Sequence, residues 1–333
     1  MNPSDKITVG RTGLFITRLG MGCAALGGLY QAVSDSTSRV TVETALAAGI
    51  RYFDTAPLYG HGLSERRLGQ ALRPGPPGRP PNSFVISSKV GRLLVPAPSG
   101  SVKSDFFENP EPFEPVFDFS YDGVMRSFES SLQRLGLDRI DILFIHDPDD
   151  HPDEALQGAY PALEKLRRQR LVTAIGAGMN QTQMLARFAR EADFDCFLLA
   201  GRYTLIDQSG LDELLPLCVE KKISVIVGAP FNSGILAGGA VSGGRFNYQD
   251  APPEVVQKVA RLERLSARYS IPLKAAALQF PLGHPAVSSV IPGMRSTAEV
   301  EENFRLMSIS IPSDLWREMK VDGLLPEEAP VPA

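Results

Sequence analysis

Three short apolar runs in this chain each end on an ionisable residue. Arg51-Tyr52-Phe53 ends on Asp54, Ile86-Ser87-Ser88 on Lys89, and Leu143-Phe144-Ile145 on His146, while Tyr59 follows five residues after Asp54. A phenol titrates near pH 10 in water, so a tyrosine alone is a poor acid or base at neutral pH. A lysine cation beside it favours the phenolate, and Lys89 is expected to lower the Tyr59 pKa in this way. Asp54 would pair with Lys89 and hold its ammonium, and His146 would donate a hydrogen bond to a carbonyl or hydroxyl oxygen and orient it. The set amounts to a tunable proton donor or acceptor beside an oxygen-binding pocket. That suits interconversion of an alcohol and a carbonyl, with hydride carried by a cofactor. Singly, each residue has a structural reading, as cap, salt-bridge partner or packing residue; the recurrence on three successive runs carries the argument. His146, Asp147, Asp149, Asp150 and His151 crowd one Pro-containing turn, which is not the spacing of a metal site on regular elements, and no metal is expected.

These residues need elements to bring them together. Short apolar runs alternate with amphipathic segments throughout. Strands are expected at Ile16–Met21, Tyr52–Asp54, Phe84–Lys89, Ile140–Ile145, Leu171–Ile175, Cys196–Leu199, Ser224–Val227 and Val287–Ile291. Helices are expected at Arg39–Ala48, Ser64–Leu72 with Ser64 as N-cap, Tyr121–Leu135, Asp153–Gln169, Gln181–Ala192, Asp212–Lys221, Pro253–Tyr269, Leu273–Leu282, Thr297–Met307 and Ser313–Asp322. The strands do not alternate apolar with polar, as expected of parallel strands covered on both faces. Eight βα units without a linker point to an α/β fold: a single (β/α)8 barrel over 1–333, with about 15–310 as its core, long loops at the C-terminal face and an extra C-terminal helix. Its active site would lie where the strands end. Two ordinary domains would suit 333 residues equally well by length, but no composition shift marks a boundary. A doubly wound sheet should carry an early G-x-G-x-x-G fingerprint. Gly20-Met21-Gly22 lacks the third glycine, and Gly176-Ala177-Gly178 has Gln181 where it belongs. Loops are read at Pro74–Asn82, at Gly91–Ser120 and at Asn232–Arg245, and the tail from residue 325 to 333 is read as frayed.

Composition narrows the classes of partner. Lys and Arg number 34 against 38 Asp and Glu, a net charge of −4, so no basic excess exists to neutralise phosphates over a broad face, and nucleic acid is not expected. No run of 18 apolar residues suggests a membrane span, and Met1–Gly10 lacks an apolar core of a signal peptide. Cys23, Cys196 and Cys218 form no C-x-x-C pair, which fits a reducing compartment; the cytoplasm is the expected location. Oligomeric state is not legible.

The residues also carry a resemblance. Phe53-Asp54-Thr55-Ala56-Pro57-Leu58-Tyr59-Gly60, Ser64-Glu65-Arg66-Arg67-Leu68-Gly69, Ser88-Lys89-Val90-Gly91, Leu135-Gly136-Leu137-Asp138 with Ile140-Asp141 and His146, and Ile291-Pro292-Gly293 resemble the signatures of the aldo-keto reductase superfamily over nearly the whole chain. The resemblance implies a barrel that binds an extended nicotinamide cofactor without a Rossmann motif. It also implies a catalytic tetrad of Asp54, Tyr59, Lys89 and His146, with Tyr59 as general acid/base. By the same resemblance, Gly22, the loop residues Pro230, Phe231, Asn232, Ser233, Gly234 and Leu236, and Gly293, Arg295, Glu299, Glu302 and Asn303 hold the cofactor. Many NADPH-using members have a basic residue where Glu299 stands. A carboxylate there would repel a 2′-phosphate and accept from ribose hydroxyls, so NAD is expected over NADP. Departures fall at Gly178 and Met179, where the family often has Ser-Asn, with Asn180 a substitute for the carboxamide contact, and at Ala200 and Gly228. These departures resemble the branch of D-threo-aldose (L-fucose) dehydrogenases and pyridoxal 4-dehydrogenases, which oxidise a cyclic hemiacetal to a lactone. An NADPH-dependent aldehyde reductase and a non-catalytic cofactor-sensing subunit are the competing readings; the complete tetrad argues against the second. The substrate, a small sugar or aldehyde, would meet Tyr59, His146, Arg202 and Phe107, with the loop's Phe106, Phe113 and Phe117 shaping its pocket.

Overall fold

The computed structural model describes residues 1–73, 84–98, 101–240 and 244–333; the expected loop at Pro74–Asn82 lies outside them. Eight parallel strands form one sheet: β1 Met21–Gly22, β2 Tyr52–Asp54, β3 Val85–Val90, β4 Ile142–His146, β5 Ala174–Met179, β6 Cys196–Ala200, β7 Ser224–Gly228 and β8 Val287–Ile291. Bridges from Leu19 to Val290 and from Gly22 to Gly293 join the first strand to the last and close the barrel. The expected (β/α)8 architecture is therefore what the chain adopts.

Strand parity explains why the barrel holds both a core and a site. Tyr52, Val85, Ile142, Phe144, Cys196, Leu198 and Ile226 fill the barrel interior, while Phe53, Ile86, Leu143 and Ile145 pack outward with the helices. Side chains two residues apart on a strand share a face. Asp54 follows Tyr52, Lys89 follows Val85 by two such steps, and His146 follows Phe144. The strand ends therefore project chemistry into the mouth because the same strands project hydrophobes into the floor. Pairing register sets Gly22 beside Asp54, Asp54 beside Ser87, and His146 beside Gly178.

Several elements differ from their expected bounds. The Ile16–Met21 strand splits: Phe15–Thr17 pairs antiparallel with Lys6–Thr8, and only Met21–Gly22 joins the barrel. That hairpin plugs the barrel floor through Val9 and Ile16, both fully buried. The fifth strand runs Ala174–Met179, later than Leu171–Ile175, because the Arg170–Leu171 step still closes the preceding helix through bonds to Arg167 and Leu166 carbonyls. Ser64 does not cap its helix. Gly62 does, with helix Leu63–Leu72 following, and the Ser64 hydroxyl donates to the Cys23 carbonyl at 2.7 Å. Gly91–Ser120 is not irregular throughout: Arg92–Pro96 and Phe113–Phe117 pair as a hairpin. The Asn232–Arg245 loop contains a 3-10 turn, a short helix at Ile235–Gly238 and the start of a two-residue hairpin, Arg245–Phe246 with Gln249–Asp250. The tail is packed rather than frayed. Leu325 and Ala329 are buried, and a Cβ on Gly283 would meet the Val331 carbonyl carbon at 2.5 Å. Its prolines and single apolar residues hid a docking segment. Among the described residues no helix is long and apolar enough to cross a membrane.

Candidate active site

The four strand-end and loop residues converge. Lys89 Nζ donates to Asp54 Oδ2 at 2.7 Å and to the Thr55 carbonyl at 2.9 Å. Asp54 Oδ1 accepts from Ser87 Oγ at 2.7 Å, and that hydroxyl lies 3.0 Å from Tyr52 Oη. Asp54 and Lys89 are 2% and 1% exposed. An ion pair this deep is supported by the further hydrogen bonds that each partner makes, Lys89 to the Thr55 carbonyl and Asp54 from Ser87. The Lys89 ammonium lies 4.7 Å from the Tyr59 ring centre, and the His146 ring meets Tyr59 edge-on at 5.9 Å.

Tyr59 is set by backbone, not by a strand. Its N–H bonds the Ala56 carbonyl, and its carbonyl accepts from Ser64. Gly27 and Gly60 face each other so closely that a Cβ on Gly60 would meet the Gly27 oxygen at 2.4 Å, and one on Gly27 the Tyr59 carbonyl carbon at 2.6 Å. Gly60 also has φ of 62°, which favours glycine. The Ser64–Gly69 motif supports the turn. Buried Glu65 accepts from Ser88 Oγ at 2.7 Å and pairs with Arg134 at 2.6 Å, and Arg67 reaches the Leu26 carbonyl.

The electrostatics overturn one expectation. Lys89 does not bring the Tyr59 phenol down: its charge is spent on Asp54. Burial, then the neighbouring Asp54, Tyr248 and Asp147, push Tyr59 well above the ordinary tyrosine value. Burial first, then Lys89 and Arg92, hold His146 well below its ordinary value, so the imidazole is neutral and able to donate from one nitrogen. Its Nδ1 is buried without a partner.

A cavity of about 310 Å³ runs from Asp54 and Tyr59 along the mouth to Arg295, Glu299, Glu302 and Asn303. Gly22, Pro230, Phe231, Asn232, Ser233, Gly234 and Gly293 also line it, as the sequence suggested; Leu236, buried beneath its loop, and Asn180 do not. Asn180 lies past the end of β5 with its carbonyl accepting from Arg202. Lys274, Tyr30 and Tyr248 line the cavity without having been singled out; each belongs to an element distant in sequence, and no local signal marks it. The residues fit an extended dinucleotide. Ala229, Asn232, Ser233 and Gly234 all have φ between 45° and 100°, the kind of strained backbone run that gathers at ligand sites. Asn232 Oδ1 is buried there without a partner, and a Cβ on Gly293 would stand in open space. At the far end, Lys274 holds Glu302 at 3.0 Å, and Glu299 accepts from the Arg295 N–H at 2.8 Å.

Of the substrate residues, Phe107 is placed over the mouth. Residues 106–108 pair with 28–30 through Tyr30 N–H to Phe106 O and Glu108 N–H to Gly28 O, which brings the Phe107 ring 6.1 Å from Tyr59. The Arg202 guanidinium donates to Asp207 and Asn247 at 3.0 Å each and to the Asn180 carbonyl at 2.7 Å. It braces the rim. Among the described residues no group of three His, Cys, Asp or Glu could hold a metal ion.

The Aldo/keto reductase family pattern matches residues 18–321. The chain belongs to that family. It is 42% identical to a pyridoxal 4-dehydrogenase of Microbacterium luteolum, covering 98% of this chain and 99% of that protein. It is also 42% identical to a D-threo-aldose 1-dehydrogenase of a Pseudomonas species, covering 97% and 99%. A holo-form aldo-keto reductase structure from Bacillus halodurans superposes with a TM-score of 0.75 at 24% identity, covering 98% of each chain. The enzyme is accordingly an NAD(P)-dependent oxidoreductase.

Proposed function

We propose that the enzyme oxidises an aldose of the L-fucose or D-arabinose type at its anomeric carbon, giving the lactone, with NAD as the preferred acceptor and Tyr59 as the proton-transferring residue. The observation that carries this is a cavity reaching from Asp54 and Tyr59, whose ring His146 meets edge-on, to the Glu299–Glu302 end. Bound nicotinamide supplies the hydride acceptor. Neutral His146 donates to the anomeric oxygen and orients it. As the C–H hydride departs and the C=O bond forms, the anomeric O–H proton passes to the Tyr59 oxygen. Lys89, held by Asp54, keeps that ion pair 4.7 Å from the ring, and the phenol, raised by burial and the carboxylates around it, becomes the proton acceptor as pH rises. The same groups run backward for aldehyde reduction.

Two features support NAD. Glu299 stands beside Arg295, and Glu302 beside Lys274, so each cation at that end of the cavity already has a carboxylate. A 2′-phosphate would bring two negative charges to a neutralised site. The 42% relatives named for an aldose and for pyridoxal support a cyclic hemiacetal as substrate. The test is a panel of L-fucose, D-arabinose, L-galactose and pyridoxal with NAD and NADP, read by absorbance of the reduced cofactor. Oxidation of at least one aldose with higher kcat/KM for NAD is expected. A large NADP preference would overturn the cofactor assignment. Inactivity on all four, with reduction of simple aldehydes by NADPH, would replace the reading with an aldehyde reductase.

A further inference from the structure

Asp147 follows His146 at the start of the loop after β4, within the acidic turn that the sequence made conspicuous. Its backbone is left-handed, with φ of 43°, a conformation that a non-glycine residue adopts under strain and that persists where the surroundings impose it. Here the Asp147 N–H bonds the Gly178 carbonyl at 3.0 Å, fixing the turn to β5. The turn aims the carboxylate back at the site. Asp147 Oδ2 lies 3.5 Å from His146 Nε2 and 3.3 Å from Arg92 Nη2. Both contacts go through Oδ2, so Oδ1 keeps its acceptor capacity. On the two residues it contacts, Arg92 Nε and His146 Nδ1 are buried without partners. Burial pushes the Asp147 carboxyl up against the opposing Arg92 charge, and its charge in turn acts on Tyr59. None of its hydrogen bonds caps a helix.

The geometry matters because of what His146 does. In the proposed reaction His146 donates to the reacting oxygen beside Tyr59. Asp147 Oδ2 lies 3.5 Å from His146 Nε2, which puts the carboxylate within reach of an oxygen on the next carbon of a substrate held by His146, since neighbouring hydroxyls on a sugar ring stand close together. We infer that Asp147 accepts a hydrogen bond from the hydroxyl on the carbon adjacent to the one oxidised, so the enzyme selects cyclic hemiacetals that carry a neighbouring alcohol. The inference rests on the proposed aldose oxidation and narrows it. The cyclic hemiacetal of pyridoxal has an aromatic ring carbon in that place and offers no such alcohol.

The experiment pairs one substitution with one missing hydroxyl. Asp147→Asn keeps the size of the side chain, and asparagine tolerates the left-handed backbone, but the amide oxygen is a neutral acceptor. On the best aldose of the panel, D147N should lose about ten- to a hundredfold in kcat/KM, the usual range for a hydrogen bond to a charged group, mostly through KM. The wild type should lose a similar factor on the 2-deoxy analogue. D147N should lose clearly less on that analogue than on the sugar itself, the gap matching what the wild type loses with the hydroxyl, and NAD affinity, read by fluorescence titration, should not change. Equal losses by D147N on both sugars would assign Asp147 to positioning His146 and overturn the inference alone. Equal wild-type kcat/KM for the sugar and its deoxy analogue would overturn it without any variant. Oxidation of pyridoxal and of no aldose would overturn both this inference and the function on which it rests.

Discussion

The floor and the roof of this site are built by different means. The floor is strand: Asp54, Ser87, Lys89 and His146 sit on parallel neighbours in fixed register, nearly without solvent, every bond short. The roof is loop: Phe107, the Arg92–Phe117 hairpin, the left-handed run after β7 and Tyr248. It is held by pairs such as Tyr248 N–H to Ser233 Oγ at 3.1 Å and the edge-on Phe106–Tyr248 contact at 5.7 Å. The roof carries exposed apolar groups, with Phe106, Tyr248 and Phe117 each near half exposed. A floor of this kind fixes the reaction, and a roof of this kind chooses what reacts. Substitutions in the two regions should therefore fail differently.

The largest effect expected is at the point where floor and roof meet. Tyr59→Phe should cost two to four decades of turnover, the usual worth of general acid–base catalysis, with cofactor affinity unchanged by fluorescence titration. Unchanged turnover would remove Tyr59 from the chemistry. Because its surroundings push the phenol upward, wild-type oxidation should climb with pH through the neutral and alkaline range as the phenolate becomes available. Tyr59→Phe should flatten that climb.

Next in size is the floor itself. Lys89→Met strands Asp54, 2% exposed, without its cation. Breaking a buried pair in this way costs about 3–5 kcal/mol, to be read from denaturant unfolding. The double variant with Asp54→Asn should recover part of the loss; additivity would mean that the two act separately.

A roof substitution should cost less and show elsewhere. Phe107→Ala should raise KM about tenfold and cost less unfolding free energy than Lys89→Met, because its buried ring packs against Tyr59 and His61 instead of in the barrel core. A large stability loss would move Phe107 into the framework. The smallest effect is expected far from the site. His284 is pushed down to about 4 by burial, and its Nδ1 accepts from the Ala286 N–H. Below pH 6.5 the unfolded chain takes up this proton while the native one does not until about pH 4. Stability should fall as pH drops through that window and level below it, and His284→Asn should make the fall shallower.

The same contrast explains how much could be read from the sequence. The floor was legible because strand parity is local: an apolar run ending on a charge says which way that charge points. The strands at Tyr52–Asp54 and Val287–Ile291 matched their expected bounds. The roof was not legible. The Asn180 and Asn247 partners of Arg202 come from other loops, and Lys274 joined the cavity from a helix whose own sequence announces nothing. The hairpin over Gly91–Ser120 depends on pairing across sixteen intervening residues between Pro96 and Phe113, which no short-range signal reports. The Tyr59 pKa failed for a related reason. Lys89 was correctly placed, but a charge already matched by Asp54 cannot also govern the phenol.

The hairpin of Lys6–Thr8 and Phe15–Thr17 gives the barrel a stoppered end. With Val9 and Ile16 packed under Tyr52, the hairpin end of the barrel is closed, and the cavity lies at the opposite, strand-end side. Beneath Tyr59, the Asp54–Ser87–Tyr52 hydrogen bonds end in a buried apolar plug, so the proton that Tyr59 collects leaves toward the mouth.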